Sequence, residues 1–454
     1  MLNVLHRCVV RFRSCRLFAR LSVKTVSSDD VRRPLNIHFA SCIVRNNKTP
    51  LLHVPSPNIW NSSKFLLGID ASSHRPRPLQ DIEETEPIAT DLTSWKSEII
   101  VDAIPNRATD RKIDSTKESP ASHHWPGEKM LHTRLTEMLG ISHPVMSAPM
   151  TMHCGGKLAA AVSQAGGLGS FGGINPEGPD WVLQQIRHIR SQTDQPFGVG
   201  FITQMIADLP DNFQAVLDER VPVIAFSFVD PKPWLAQAKD SSALVMCQVQ
   251  SLQGAEEAVS AGADVLVAQG NEAGGHTGGM NSLPLLVHLL NRYPQLPVLA
   301  SGGISDGRGL AAVLAAGAEG AWVGTAFLTT PEVVEVPDTF NEQILLSDGQ
   351  DTAFTQLYDQ LGDAPWPQGI GGRVYRNRFV REWDGREEDI IKNRDELVAD
   401  VAQAWERHDP EGASVYMGQS AGGVNSIRPA ARVLQDICDQ AESILRTRSR
   451  DLLR

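Results

Sequence analysis

From Met130 onward, short apolar runs alternate with helix-patterned segments at intervals of roughly 25–30 residues, about the length of one strand–helix unit. Strands are predicted at 144–150, 168–171, 197–202, 221–228, 243–249, 265–269, 297–301 and 320–327. Helices fall between them, for example over 156–165, 180–191, 252–261, 283–291 and 308–316. The strand segments are near-continuous apolar runs, which a parallel sheet requires when helices cover its outer face. Eight such units within about 200 residues suit an α/β fold closed as a (β/α)8 TIM-type barrel better than an open doubly wound sheet.

This rhythm occupies residues 130–330 of 454. Residues 331–454 carry short helical pieces at 341–346 and 352–361, a Pro/Gly/Trp loop at 363–372, a charged helical stretch at 386–407 and a final helix at 429–447. They are expected to form a lid or side subdomain together with helices that close the barrel. The charge run at 386–395 reads as a solvated helix face. Residues 1–129 hold no lasting periodicity. Their apolar islands are too short to offset the entropy of ordering, so an N-terminal extension, largely disordered, is expected. Its first 28 residues contain Arg7, Arg11, Arg13, Arg16, Arg20 and Lys24 and no acidic residue. That pattern fits a mitochondrial presequence, and equally a basic tail on a cytoplasmic protein.

A formal charge of -11 gives no footprint for nucleic acid. No apolar run approaches the ~20 residues of a membrane-spanning helix. The six cysteines form neither C-x-x-C pairs nor Cys/His clusters, so a metal site is not indicated. A G-x-S-x-G nucleophile elbow is missing as well, and the G-x-G-x-x-G at 167–172 lacks a convincing acidic ribose partner.

In a barrel of this kind the loops after the strands build the site. After the seventh strand the chain reads ASGGISDGRG (300–309), and the eighth runs into VGTAF (323–327). Gly302, Gly303, Gly324 and Thr325 therefore lie where backbone N–H groups can hold a phosphate, with a helix N-terminus nearby. After the sixth strand comes QGNEAGGHTGG (269–279), five glycines in the ten positions from Gly270. Such density suggests a backbone passing close to something flat or large. His276 sits inside that run and is the natural general acid–base near neutral pH. His143 and His153 flank the first strand and are weaker pocket candidates, while His288 reads as a helix residue.

These motifs, with PVMSAPM (144–150), AAAVSQAGGLG (159–169), GRVYRN (372–377) and MGQ (417–419), resemble the nitronate monooxygenase family. The resemblance implies FMN on a TIM-type barrel. Ala148, Pro149 and Met150 would lie along the isoalloxazine. Gln248, Gln269, Gly274, Gly275 and Ser301 would approach the cofactor, and Gly302, Gly303, Gly324 and Thr325 would hold its phosphate. His276 matches the active-site histidine. The implied reaction oxidises alkyl nitronates, and nitroalkanes, with O2 to a carbonyl compound and nitrite. Two alternatives stay open: an NAD(P)H-dependent flavin reductase of quinones or enoyl thioesters, and a flavin-binding protein without turnover. One departure stands out. Relatives often carry Asn on the third strand where this chain has Gly200, which removes a polar contact there.

Overall fold

The computed structural model describes residues 131–362 and 366–453, together with the backbone of three N-terminal strands, Leu5–Phe12, Cys15–Ser22 and Phe39–Arg45. Those three pair antiparallel in chain order. Expectations about the rest of 1–130, disorder and targeting included, lie outside the described residues. The chain divides into Met1–Ser122 and His123–Arg454, and the second unit holds everything that follows.

Eight strands form its sheet: β1 (Val145–Ser147), β2 (Gly169–Gly172), β3 (Phe197–Ile202), β4 (Val223–Ser227), β5 (Leu244–Val249), β6 (Val265–Gln269), β7 (Val298–Ser301) and β8 (Gly320–Val323). Each pairs in parallel with the next, and β8 pairs with β1. The circle closes through a parallel bridge between Met146 and Leu168, where Ser147 N donates to Leu168 O at 3.0 Å. All eight expected strands are present, and the sheet is a barrel with helices alternating around it.

Alternation along each strand explains why the runs are apolar on both sides. Met146, Val223, Ala225, Met246, Val265, Val267, Leu299 and Trp322 fill the interior. Their neighbours Val145, Ile224, Phe226, Leu266, Ala300 and Val323 face the helical layer. Leu135 and Ile141, from helix Arg134–Leu139 and the turn after it, join the interior cluster near the strands' N-terminal end. At about 25 cal/mol per Å² of apolar surface removed from water, this doubly buried sheet is the main source of stability.

The outer ring is completed from far along the chain. After β8 comes only the short helix Thr325–Leu328, then an excursion over 331–429. The terminal helix Ala430–Leu452 packs against helices Gly307–Ala315 and Gly156–Gln164, between the seventh and first units. Gly307 makes that fit possible: a Cβ there would meet Ala441 N at 2.4 Å and Ile437 O at 2.5 Å.

Within the excursion one expectation is corrected. Residues 352–361 do not form one helical piece. They split into strand Thr352–Thr355 and helix Leu357–Leu361. The β-branched and aromatic residues of the first half pair with strand Gly371–Tyr375. That strand pairs in turn with Gly275–Thr277 from the glycine-rich loop, making a three-stranded antiparallel sheet over the barrel mouth. The charged stretch consists of two largely exposed helices, Glu387–Lys392 and Arg394–Glu406.

Candidate active site

A cavity of about 670 Å³ opens at the C-terminal ends of the strands. Its wall contains all of Ala148, Pro149, Met150, Gln248, Gln269, Gly274, Gly275, His276, Ser301, Gly302, Gly303, Gly324 and Thr325. Residues from Ala148 to Thr325 thus converge because each lies at the C-terminal end of a barrel strand or in the segment after it. Trp322, whose side chain belongs to the barrel interior, also contributes to the wall. His153 lines the cavity; His143 is buried elsewhere, and His288 is an exposed helix residue as expected.

One side of the cavity is suited to an anion. Gly302 and Gly303 have φ of 99° and 72°, in the left-handed region that only glycine enters cheaply. Among the described residues neither backbone N–H donates to a protein acceptor. Ser301 pairs in register with Trp322, so Gly302 lies beside the chain leading into Gly324 and Thr325. The helix that follows Gly303 contributes differently from expectation. Asp306 accepts from Arg308 N and Gly309 N, and Gly307 N donates to Gln440, so that helix end is already capped by protein. The Thr325 hydroxyl accepts from Gly418 N at 3.0 Å, which ties the 417–419 segment to the same corner.

Another stretch of the wall, Ala148–Met150, is apolar. Pro149 sits where a Cβ on Gly200 would reach its Cγ at 2.3 Å. Gly200 is therefore a packing requirement, and an asparagine would not fit against this proline. Met150, Met152 and Phe228 line the cavity with φ of 36°, 65° and 84°. Non-glycine residues held in the left-handed region cost about 1–3 kcal/mol each and gather at ligand sites. The buried amide of Gln248 makes no hydrogen bond to protein among the described residues. Gln269 is more committed: its Nε2 donates to the His276 carbonyl at 3.0 Å, and its Oε1 accepts from Gln250 at 2.8 Å.

The glycine-rich loop is only partly explained by ligand approach. A Cβ on Gly270 would meet Ser282 N at 2.2 Å, one on Gly274 would meet Gly418 N at 2.6 Å, and one on Gly278 would meet Gln250 Cβ at 2.7 Å. These three glycines let protein approach protein. Gly275 is different, with φ of 80° and open space around its missing side chain.

His276 lies on the strand paired with Gly371–Tyr375. Its ring stacks on Trp366, centroids 3.5 Å apart and 8° from parallel. Tyr416 lies at 5.7 Å and Phe228 at 6.4 Å. Nε2 is 2.6 Å from Asp359 Oδ1, and both side chains are nearly buried. Burial, with Asp359 adding to it, holds the Tyr416 phenol well above its usual range, so this wall is neutral there. His153 is also neutral: burial lowers its pKa, and its Nδ1 donates to the Thr151 carbonyl at 3.0 Å. Asp359, Trp366, Trp405 and Tyr416 were not singled out from sequence. All but Tyr416 come from short or charged helices and a proline-rich loop with no chemical spacing, and Tyr416 adjoins the MGQ motif without belonging to it.

A family profile of nitronate monooxygenase matches residues 132–214 and 209–440. The chain belongs to the nitronate monooxygenase family. A nitronate monooxygenase of Metarhizium robertsii is 35% identical over 332 residues, covering 66% of this chain and 91% of that protein. A (3aS,4S,5R,7aS)-5-hydroxy-7a-methyl-1-oxo-octahydro-1H-indene-4-carboxyl-CoA dehydrogenase of Rhodococcus jostii is 36% identical over 231 residues, covering 51% of this chain and 64% of the dehydrogenase. Among solved structures, FabK from Thermotoga maritima superimposes with a TM-score of 0.63 at 33% identity, over 70% of this chain and 99% of that one. Nitronate monooxygenases are flavoproteins acting on small molecules, and the cavity fits a flavin: an apolar stretch at Ala148–Met150, an unpaired amide and two unpaired backbone N–H groups at a glycine turn.

Proposed function

We propose that this chain is an FMN-dependent nitronate monooxygenase, converting alkyl nitronates with O2 to a carbonyl compound and nitrite. The observation that carries this reading is the placement of His276. It lies in the same cavity as the glycine turn that would take the FMN phosphate and the Ala148–Pro149–Met150 wall that would face the ring. Gly302 and Gly303 would hold the phosphate through backbone N–H, and Gln248 would face the ring system. Bound there, FMN supplies the redox chemistry.

The protein's part is proton transfer, orientation and exclusion of water. His276 takes the α-proton of a nitroalkane, or in its protonated form hydrogen-bonds the nitronate, whose charge is spread over two oxygens. Trp366, Phe228 and Tyr416 shield the reacting carbon from solvent. No lysine or arginine lines the cavity among the described residues, and Glu335 is its one carboxylate. In the His276→Asn variant, the yellow cofactor is expected to stay bound while turnover of a neutral nitroalkane falls by about 100-fold or more. Turnover equal to the unaltered chain would remove His276 from the reaction.

A further inference from the structure

We infer that Asp359 is a positioning residue that fixes the His276 tautomer, equipping the site to deprotonate neutral nitroalkanes as well as to accept nitronates already formed. The inference rests on the reading of His276 as the base and adds the group that makes it one.

A carboxylate can only accept hydrogen bonds, so the 2.6 Å contact with Asp359 Oδ1 places the ring proton on Nε2. The lone pair then resides on Nδ1, which makes no hydrogen bond to protein among the described residues. Three aromatic rings pack around the imidazole. Trp366 covers one face at 3.5 Å. Phe228 meets it edge-on at 83°, and Tyr416 is tilted by 39°. The backbone is fixed by pairing with Gly372 and by the hydrogen bond from Gln269. The Asp359 side chain is nearly buried, and its second oxygen, Oδ2, is buried with no hydrogen-bond partner among the described residues.

The step balances simply. The α-C–H bond breaks, its electron pair moves onto the nitro group, and the proton is taken up at Nδ1. The imidazolium then lies between two anions, Asp359 at Nε2 and the nitronate at Nδ1. A substrate supplied as its nitronate skips this step, so its turnover depends far less on Asp359.

The experiment uses the full-length, flavin-loaded protein with nitroethane and with ethylnitronate formed beforehand. Asp359→Asn is expected to reduce kcat/KM for nitroethane about 100-fold more than for ethylnitronate, with the flavin spectrum retained. Asp359→Glu should recover part of the loss. An equal loss on both substrates, or no loss on either, overturns the proposal. If Asp359→Asn does not fold, the ring ¹⁵N shifts of His276 in the unaltered chain decide. A protonated Nε2 with bare Nδ1 supports the pair, and the opposite tautomer overturns it. His276→Asn separates the two ideas. Undiminished nitroethane turnover in that variant sinks the base itself, whereas loss there beside an unaffected Asp359→Asn sinks only the role of Asp359.

Discussion

Two buried histidines link single residues to the acid stability of the chain. Burial lowers the pKa of His153, and it lowers that of His143 against a smaller opposing pull from Asp439. The unfolded chain titrates near the ordinary value of 6.5, so as pH falls through that point it binds protons that the folded chain refuses. Stability from these groups is complete above about pH 6.5 and is lost progressively below it, toward the lower folded values. The thermal midpoint is therefore expected to fall between about pH 7.5 and pH 5.5, and to fall less in His143→Asn. A midpoint that does not move would contradict this account. Legibility at this scale depended on context in sequence. His276 stood out because glycines surround it at a strand end. Asp359, 83 residues away and the nearest group to its ring nitrogen, gave no signal, since a carboxylate in a short helix looks like any solvated one. Gly200 was visible only as a missing polar group, and the structure shows it is needed to seat Pro149.

The elements most readable from sequence are those buried on both faces. All eight barrel strands are such runs, and no charge interrupts them. The small sheet over the mouth was hidden for a physical reason. Gly275 and Gly371 carry little strand propensity, and their pairing spans about a hundred residues. Thr352–Thr355 runs straight into a helix through Gln356, which masks the change of period from two to 3.6. The terminal helix was expected as a closing element, but its seat against Gly307 depends on the absence of a side chain. Gly307→Ala should push Ala430–Leu452 off the ring, because the new Cβ meets the backbone of Ala441 and Ile437 and the Cβ of Gln440, none of which can rotate away. The expected cost is about 1–3 kcal/mol, read as a lower denaturant midpoint with an unchanged slope. An unaltered midpoint would show that the helix is not held there.

At the scale of the whole molecule, the barrel supplies the Gly302–Gly303 turn and the Ala148–Met150 wall, while the 331–429 excursion supplies Asp359, Trp366, Trp405 and Tyr416. Neither part makes the site alone. The barrel half follows from strand ends and was legible; the excursion half arises from tertiary docking that no local period encodes. The division also fits the relatives, since a nitronate monooxygenase and a carboxyl-CoA dehydrogenase both share sequence with this chain. The central claim is that this cavity holds FMN and passes a nitronate's electrons to it. The most direct test is one visible absorbance spectrum of the purified full-length protein, recorded under nitrogen before and after adding ethylnitronate. The account predicts a yellow protein that bleaches with ethylnitronate alone. A colourless protein, or a yellow one that bleaches only with NADH, would contradict it.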